Sequence, residues 1–268
     1  MSEPYVPQLG IVYPEKPDDR MVAVKAVRDI KIDENYPFLD RSFKFRIRRF
    51  FLSLTIFFLV FPLNHLRYGI KIKGKNILRK HKKLFNKGAM TVSNHVHRWD
   101  FLFVMHAIRY RTMYFPAWKE HLKGPDADLI RLAGGIPIPD DIHTIRCFNS
   151  AFDEIHKMKK WIHAFPESTR FDYFQPIRPF KKGVFTLAFR YDLPVIPFAI
   201  SYRKTHFPHT LINRSRDIPL ITVNIGEPLL FDKNLSRREN IEKMRKNCHE
   251  AVVDLAGIRD NPYEAEGD

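Results

Sequence analysis

Cysteine is scarce. Cys147 and Cys248 are the two in 268 residues, too few and too isolated for a disulfide framework. That scarcity argues for a reducing compartment and against a periplasmic or secreted one. No Gly-x-Ser-x-Gly run occurs, so an acyl-serine intermediate on a strand-to-helix elbow has no support. Met1-Ser2-Glu3-Pro4 lacks a basic stretch, and the first long uncharged run begins too late for a signal peptide. Internal repeats and long low-complexity linkers are missing too. A chain of this length can form one large domain with a substantial core.

Acidic residues are in deficit, 30 against 45 Lys plus Arg, for a formal charge of +15. Such an excess fits an anionic partner: nucleic acid, anionic lipid or a phosphorylated ligand. The local pattern favours lipid. Arg41, Lys44, Arg46, Arg48 and Arg49 sit among Phe43, Phe45, Ile47, Phe50 and Phe51, and a second basic cluster spans 71–87. A nucleic-acid groove needs aromatic and basic residues arranged as a stacking surface. Here they gather at an apolar segment instead, so no nucleic acid is expected.

Residues 50–66 contain no Asp, Glu, Lys or Arg. On a helix Phe43, Ile47, Phe50, Leu54 and Phe58 share a face. The uncharged run reaches about 25 Å as a helix, against a hydrocarbon core of ~30 Å, and Pro62 is expected to interrupt it. Both flanks are basic, so charge bias sets no orientation. The expectation is an interfacial or re-entrant segment on the cytoplasmic face of an anionic membrane surface. A helix covering the protein's own core is the alternative.

The remainder alternates between short apolar runs and longer amphipathic ones. Strands are predicted at 70–73, 89–93, 113–116, 135–138, 161–165, 195–201 and 221–225, and helices at 99–109, 142–160, 183–191 and 236–256. This alternation predicts an α/β domain, a mostly parallel central sheet flanked by helices, with an N-terminal membrane-associated helical segment. The division that follows is an N-terminal arm (1–40), a membrane-associated segment (41–66), a catalytic domain (67–258) and an acidic tail (259–268).

Two short runs carry the chemistry. Ser93-Asn94-His95-Val96-His97-Arg98-Trp99-Asp100 follows an apolar run and leads into a helix. Phe165-Pro166-Glu167-Ser168-Thr169-Arg170 follows another. A neutral histidine accepts a proton near physiological pH, and a carboxylate on its other nitrogen fixes its tautomer. On one helix His95 and Asp100 would lie about 140° apart, so the pair requires a turn between them. That places His95 at the carboxyl end of a strand, where α/β proteins bind ligands. Arg170 can fork onto phosphate oxygens. A structural His–Asp pair and an ordinary polar turn are the plainer alternatives for either run alone. A metal site of the His-x-His-x-Asp-His kind fails on spacing: Trp99 stands where Asp is needed, and no His follows it.

Together the runs resemble the glycerolipid acyltransferases, the 1-acylglycerol-3-phosphate acyltransferase-like family with N-H-x4-D and F-P-E-G-T-R blocks. Asn94, His95 and Asp100 match the first. Phe165, Pro166, Glu167, Thr169 and Arg170 match the other, with Ser168 in place of glycine. The likeness extends over roughly 43–256. It includes Phe180-Lys181-Lys182-Gly183, Leu193-Pro194-Val195-Ile196-Pro197 and Ile225-Gly226-Glu227-Pro228-Leu229. The resemblance implies His95 as general base and Asp100 as its partner, and an acceptor positioned by Glu167, Ser168, Thr169 and Arg170. It implies acyl-CoA or acyl-carrier protein as donor, a lysolipid acceptor, most simply 1-acylglycerol-3-phosphate, and no metal or other cofactor. One block departs. Gly134-Gly135-Ile136-Pro137-Ile138-Pro139-Asp140-Asp141 lacks the family's arginine and carries two acids near its place. Arg146 lies further on. A different lysolipid or a non-phosphate acceptor therefore stays open. Outside this class, a basic nucleic-acid-binding protein and a metal-dependent hydrolase are the alternatives.

Overall fold

The computed structural model describes residues 5–109, 111–213 and 218–263. Residues 1–4 of the arm and 264–268 of the acidic tail lie outside it. Seven strands form one sheet in the order β1-β7-β6-β2-β5-β3-β4. They are β1 (Lys71–Lys73), β2 (Met90–Val92), β3 (Met113–Ala117), β4 (Gly135–Pro137), β5 (Trp161–Ala164), β6 (Val195–Arg203) and β7 (Leu220–Ile225). All neighbours run parallel except β6 and β7. The predicted mostly parallel α/β sheet is thus the one observed. The inner strands β2, β5, β6 and β7 are apolar runs, because strands buried on both faces need apolar side chains on both.

Helices cover the two faces. On one side lie α4 (Asp100–Ile108) and the N-terminal helix, built from α1 (Phe43–Thr55), a π-turn at Ile56–Val60 and α2 (Phe61–Tyr68). Ile56, Phe61, Tyr68 and Phe103 join Phe198, Ile200 and Val223 in this core layer. On the other side α6 (Ile142–Lys157), α7 (Lys182–Arg190) and α9 (Arg237–Ala256) pack Phe152, Phe185, Met244 and Val252 against Val92, Val195 and Ala199. Alternate residues of β6 feed opposite layers, as a pleated strand requires.

The short helices α3 (Lys75–Lys80), α5 (Ala127–Ala133) and α8 (His209–Ile212) were not predicted. At four to seven residues each, they offer too few turns for a readable period. Pro62 does not interrupt the N-terminal helix as expected. Residues Phe43–Tyr68 form one helix long and apolar enough to cross a membrane by length and composition alone. The π-turn sits immediately before Pro62. Widening the ladder there accommodates a ring that would otherwise strike the preceding turn. Phe50, Phe51 and Phe58 on this helix remain exposed.

Gly134 ends α5 at φ +118°. A Cβ there would collide with the Met113 carbonyl as β4 leaves beside β3. Gly134→Ala is therefore expected to lower unfolding free energy by roughly 1–3 kcal/mol, measured by urea denaturation at unchanged secondary structure.

Candidate active site

The central strand β2 is flanked by β5 and β6. Because β2 and β5 are parallel and Val92 pairs with Ala164, the two predicted runs leave neighbouring strands at the same level. Ser93 N–H still donates to the Ala164 carbonyl at 3.3 Å. Beyond it, Asn94 takes the place of a strand residue toward β6. Its side-chain amide donates to the Ile200 carbonyl at 2.9 Å and its oxygen accepts the Ile200 N–H at 2.8 Å. Asn94 is buried, so this two-point clamp fixes where the turn begins.

His95 Nδ1 lies 2.9 Å from Asp100 Oδ2. The same oxygen accepts the Val96 and His97 N–H groups at 2.7 and 2.9 Å. An oxygen that accepts those two bonds is an acceptor for Nδ1 as well. His95 therefore carries its proton on Nδ1 and presents Nε2 as the basic nitrogen. No described side chain bonds Nε2, and the His95 side chain keeps 19 % of its surface while Asp100 has none. The ring stacks on Phe165, centroids 4.1 Å apart.

Electrostatics keep this base neutral. Burial lowers the His95 pKa well below the ordinary value, and the Arg170 and Arg178 charges push the same way. Burial raises the Asp100 carboxyl, against the pull of the two backbone N–H donors.

Glu167 turns inward. Its oxygens accept the His95 N–H at 3.0 Å, the Arg178 N–H at 3.1 Å and Arg178 Nη2 at 2.8 Å. Both side chains of the pair are 1 % exposed. Burial pushes the Glu167 carboxyl up, and the Arg178 guanidinium and the backbone donors pull it back. Thr169 also serves the protein. Its hydroxyl and carbonyl accept from Arg178, and the hydroxyl approaches the Pro17 carbonyl at 3.5 Å. Ser168 is exposed at φ +66°, a left-handed conformation that glycine adopts freely and serine does not. That explains in physical terms why a glycine suits this position. Arg170 is the one of the four whose charge lowers the His95 pKa, and its Nε lies 2.8 Å from Asp172 Oδ1. Its field lowers the pKa of His95, His97 and His121.

His97 faces away from the site. It is buried against Tyr68, Phe103 and Tyr173, and its Nδ1 accepts the Trp99 N–H at 3.1 Å. Burial lowers its pKa to about 3, and that of the equally buried His163 to about 3. Among the described residues no three His, Cys, Asp or Glu side chains converge to hold a metal ion. The acids of the departing block have structural tasks: Asp140 pairs with Lys119, and Asp141 caps α6 through the His143 and Thr144 N–H groups. Arg146 sits exposed on α6.

Sequence reasoning missed Arg178, His163 and the reach of the N-terminal arm. Arg178 stands in Pro176-Ile177-Arg178-Pro179, where nothing local marks it as buried. The arm runs beside the site: Pro17 O accepts from Arg178 at 2.9 Å, Lys181 pairs with Asp18, and Tyr13 donates to the Asp172 carbonyl. Arg20 lies 3.6 Å from the Trp118 ring centroid.

A strand-end histidine held by an aspartate, with an arginine charge acting on it, is an arrangement able to take a proton from a hydroxyl. The sequence model of the family described as Acyltransferase matches residues 69–201. Among solved structures, the 1-acyl-sn-glycerophosphate (LPA) acyltransferase PlsC from Thermotoga maritima is similar in fold. The TM-score is 0.53 at 23% identity, over 82% of this chain and 84% of that one. A comparison with curated proteins found no match.

Two outcomes follow from the buried charges. Glu167→Ala or Arg178→Ala leaves the partner's charge unpaired, and each should cost about 3–5 kcal/mol of stability, read by chemical denaturation. His97 and His163 are neutral when folded and titrate near 6.5 when unfolded, so the unfolded chain takes up protons first as pH falls. Stability should be full above about pH 6.5 and decline toward pH 3, by about 1.4 kcal/mol per pH unit for each group. Melting curves across that range check it, and His163→Gln should flatten the decline.

Proposed function

We propose that this chain is a membrane-surface O-acyltransferase. It moves a fatty acyl group from acyl-CoA or acyl-carrier protein to a hydroxyl of a lysophospholipid, most simply 1-acylglycerol-3-phosphate, in phospholipid biosynthesis. The observation that carries this reading is the His95–Asp100 pair with a free Nε2 and Arg170 alongside. His95 Nε2 takes the proton of the acceptor hydroxyl as its oxygen attacks the thioester carbonyl. Asp100 holds the ring and stabilises the imidazolium. The tetrahedral intermediate collapses, the carbon–sulfur bond breaks, and the imidazolium returns its proton to the leaving thiolate. Arg170 receives the acceptor's anionic group. Glu167 and Thr169 serve the acceptor site by fixing the loop that bears Arg170, and Ser168 sets its turn.

The proposed division keeps residues 67–258 as the catalytic domain, 41–66 as the membrane-associated segment and 1–40 as an arm. Exposed Phe50, Phe51 and Phe58 beside five basic residues support contact with an anionic leaflet, the cytoplasmic one by this reading.

His95→Ala should lower turnover 10²–10⁴-fold in a protein with unchanged circular dichroism; wild-type turnover in that variant would sink the assignment. Since His95 titrates below its ordinary value, the acid limb of kcat/KM should fall below about pH 6.5. Arg170→Gln should move that limb upward and raise the acceptor KM roughly ten- to hundredfold, with little change in the donor KM. On the membrane side, Phe50→Ser with Phe58→Ser should weaken sedimentation with anionic liposomes. Undiminished sedimentation would refute the membrane assignment of this face.

A further inference from the structure

A cavity of about 880 Å³ lies between the N-terminal helix and the body of the domain. Met113 opens β3 and Lys160 immediately precedes β5, and both line it. The cavity therefore sits at the opposite end of the sheet from His95. Its apolar lining comes from both sides, Phe45, Leu52 and Ile56 from the helix and Met105, Met113 and Leu132 from the body. Phe50 and Phe58 also line it and are 59% and 70% exposed, so the cavity continues into the outward apolar face of the helix.

The polar lining is dominated by cations. Arg46, Arg49, Arg109, Arg111 and Lys160 border the space, and none of them has a carboxylate within 4 Å among the described residues. Asp40, the acid in the lining, is spent on Arg131 at 3.1 Å. Arg49 and Arg111 bond backbone carbonyls of Met113 and Ile108 and lie over the rings of Tyr114 and Trp161. An adjoining cavity of about 310 Å³ shares Arg109 and Arg111 and adds Lys75 and Arg79. Burial and the neighbouring Arg109 charge lower the Lys75 pKa. Four cations are thus gathered at one junction without a counter-charge, where a phosphate would relieve their repulsion.

We propose that this cavity binds one anionic bilayer phospholipid, with its acyl chain in the apolar part and its phosphate between Arg109 and Arg111. A free phosphate would leave the apolar half empty, and a neutral lipid would leave the cations unmatched. The site is separate from the catalytic centre and does not depend on the reaction assigned to it.

The test counts lipid retained by the full chain in neutral detergent, by native mass spectrometry, with phosphatidylglycerol or phosphatidylcholine titrated in. One phosphatidylglycerol per chain is expected, bound at least tenfold more tightly than phosphatidylcholine. Each removed charge should weaken it about fivefold, so Lys75→Gln with Lys160→Gln should weaken it about thirtyfold. Ser53→Trp, which places bulk in the lining, should also reduce it. His95→Ala should leave binding unchanged. Equal retention of the two lipids or indifference to the charge variants would overturn the proposal. Competition by inorganic phosphate alone at matched concentration would overturn the acyl-chain part. Should a variant fail to fold, the ratio of the two lipids on the wild-type chain still decides.

Discussion

Glu167 carries a carboxylate into the interior, and the rest of the site is arranged around it. Taking such a charge out of water costs several kcal/mol unless it is paired and supplied with donors. Arg178 supplies the charge, and the His95 and Arg178 N–H groups supply further donors. The bond to the His95 N–H makes the pair mechanically useful. It ties the turn after β2 to the turn after β5, so the base and Arg170 are held by one ion pair. The Phe171 N–H on the His95 carbonyl and the Tyr173 N–H on the Val96 carbonyl continue the same seam.

A conserved-looking polar motif therefore divides its labour. His95 and Arg170 face the space in which chemistry would occur. Asn94, Glu167 and Thr169 face the protein. Ser168 does neither with its side chain and matters through its backbone angle. Polar residues in such a motif invite a ligand-binding reading; burial decides otherwise for Asn94 and Glu167, and the bonds from Arg178 do so for Thr169. The site is thus built mostly of groups that hold other groups in place, which a base near a developing charge requires.

How much of this was legible in the sequence depended on the range of the interaction. The inner strands were visible because they are short apolar runs buried on both faces, and the parallel pairing followed from the helices between them. The turn between His95 and Asp100 followed from helix geometry alone. The antiparallel β6–β7 pairing was not visible, since strand direction leaves no trace in composition. Pro62 misled because its cost was absorbed by a π-turn whose residues, Ile56 to Val60, look like any apolar stretch. Arg178 and the arm escaped because their partners are remote: Pro17 to Arg178 spans 161 residues.

That distance has a consequence for how the molecule comes to be. The arm is synthesised well before three of the groups it docks on, Asp172, Arg178 and Lys181, which follow more than 150 residues later. Closing so long a loop is entropically costly until the remainder has condensed. The arm must therefore wait, undocked, through most of translation. Until it settles, Arg178 lacks one of its carbonyl acceptors, so the ion pair that joins the two turns is completed only when a segment made long before it comes back to meet it.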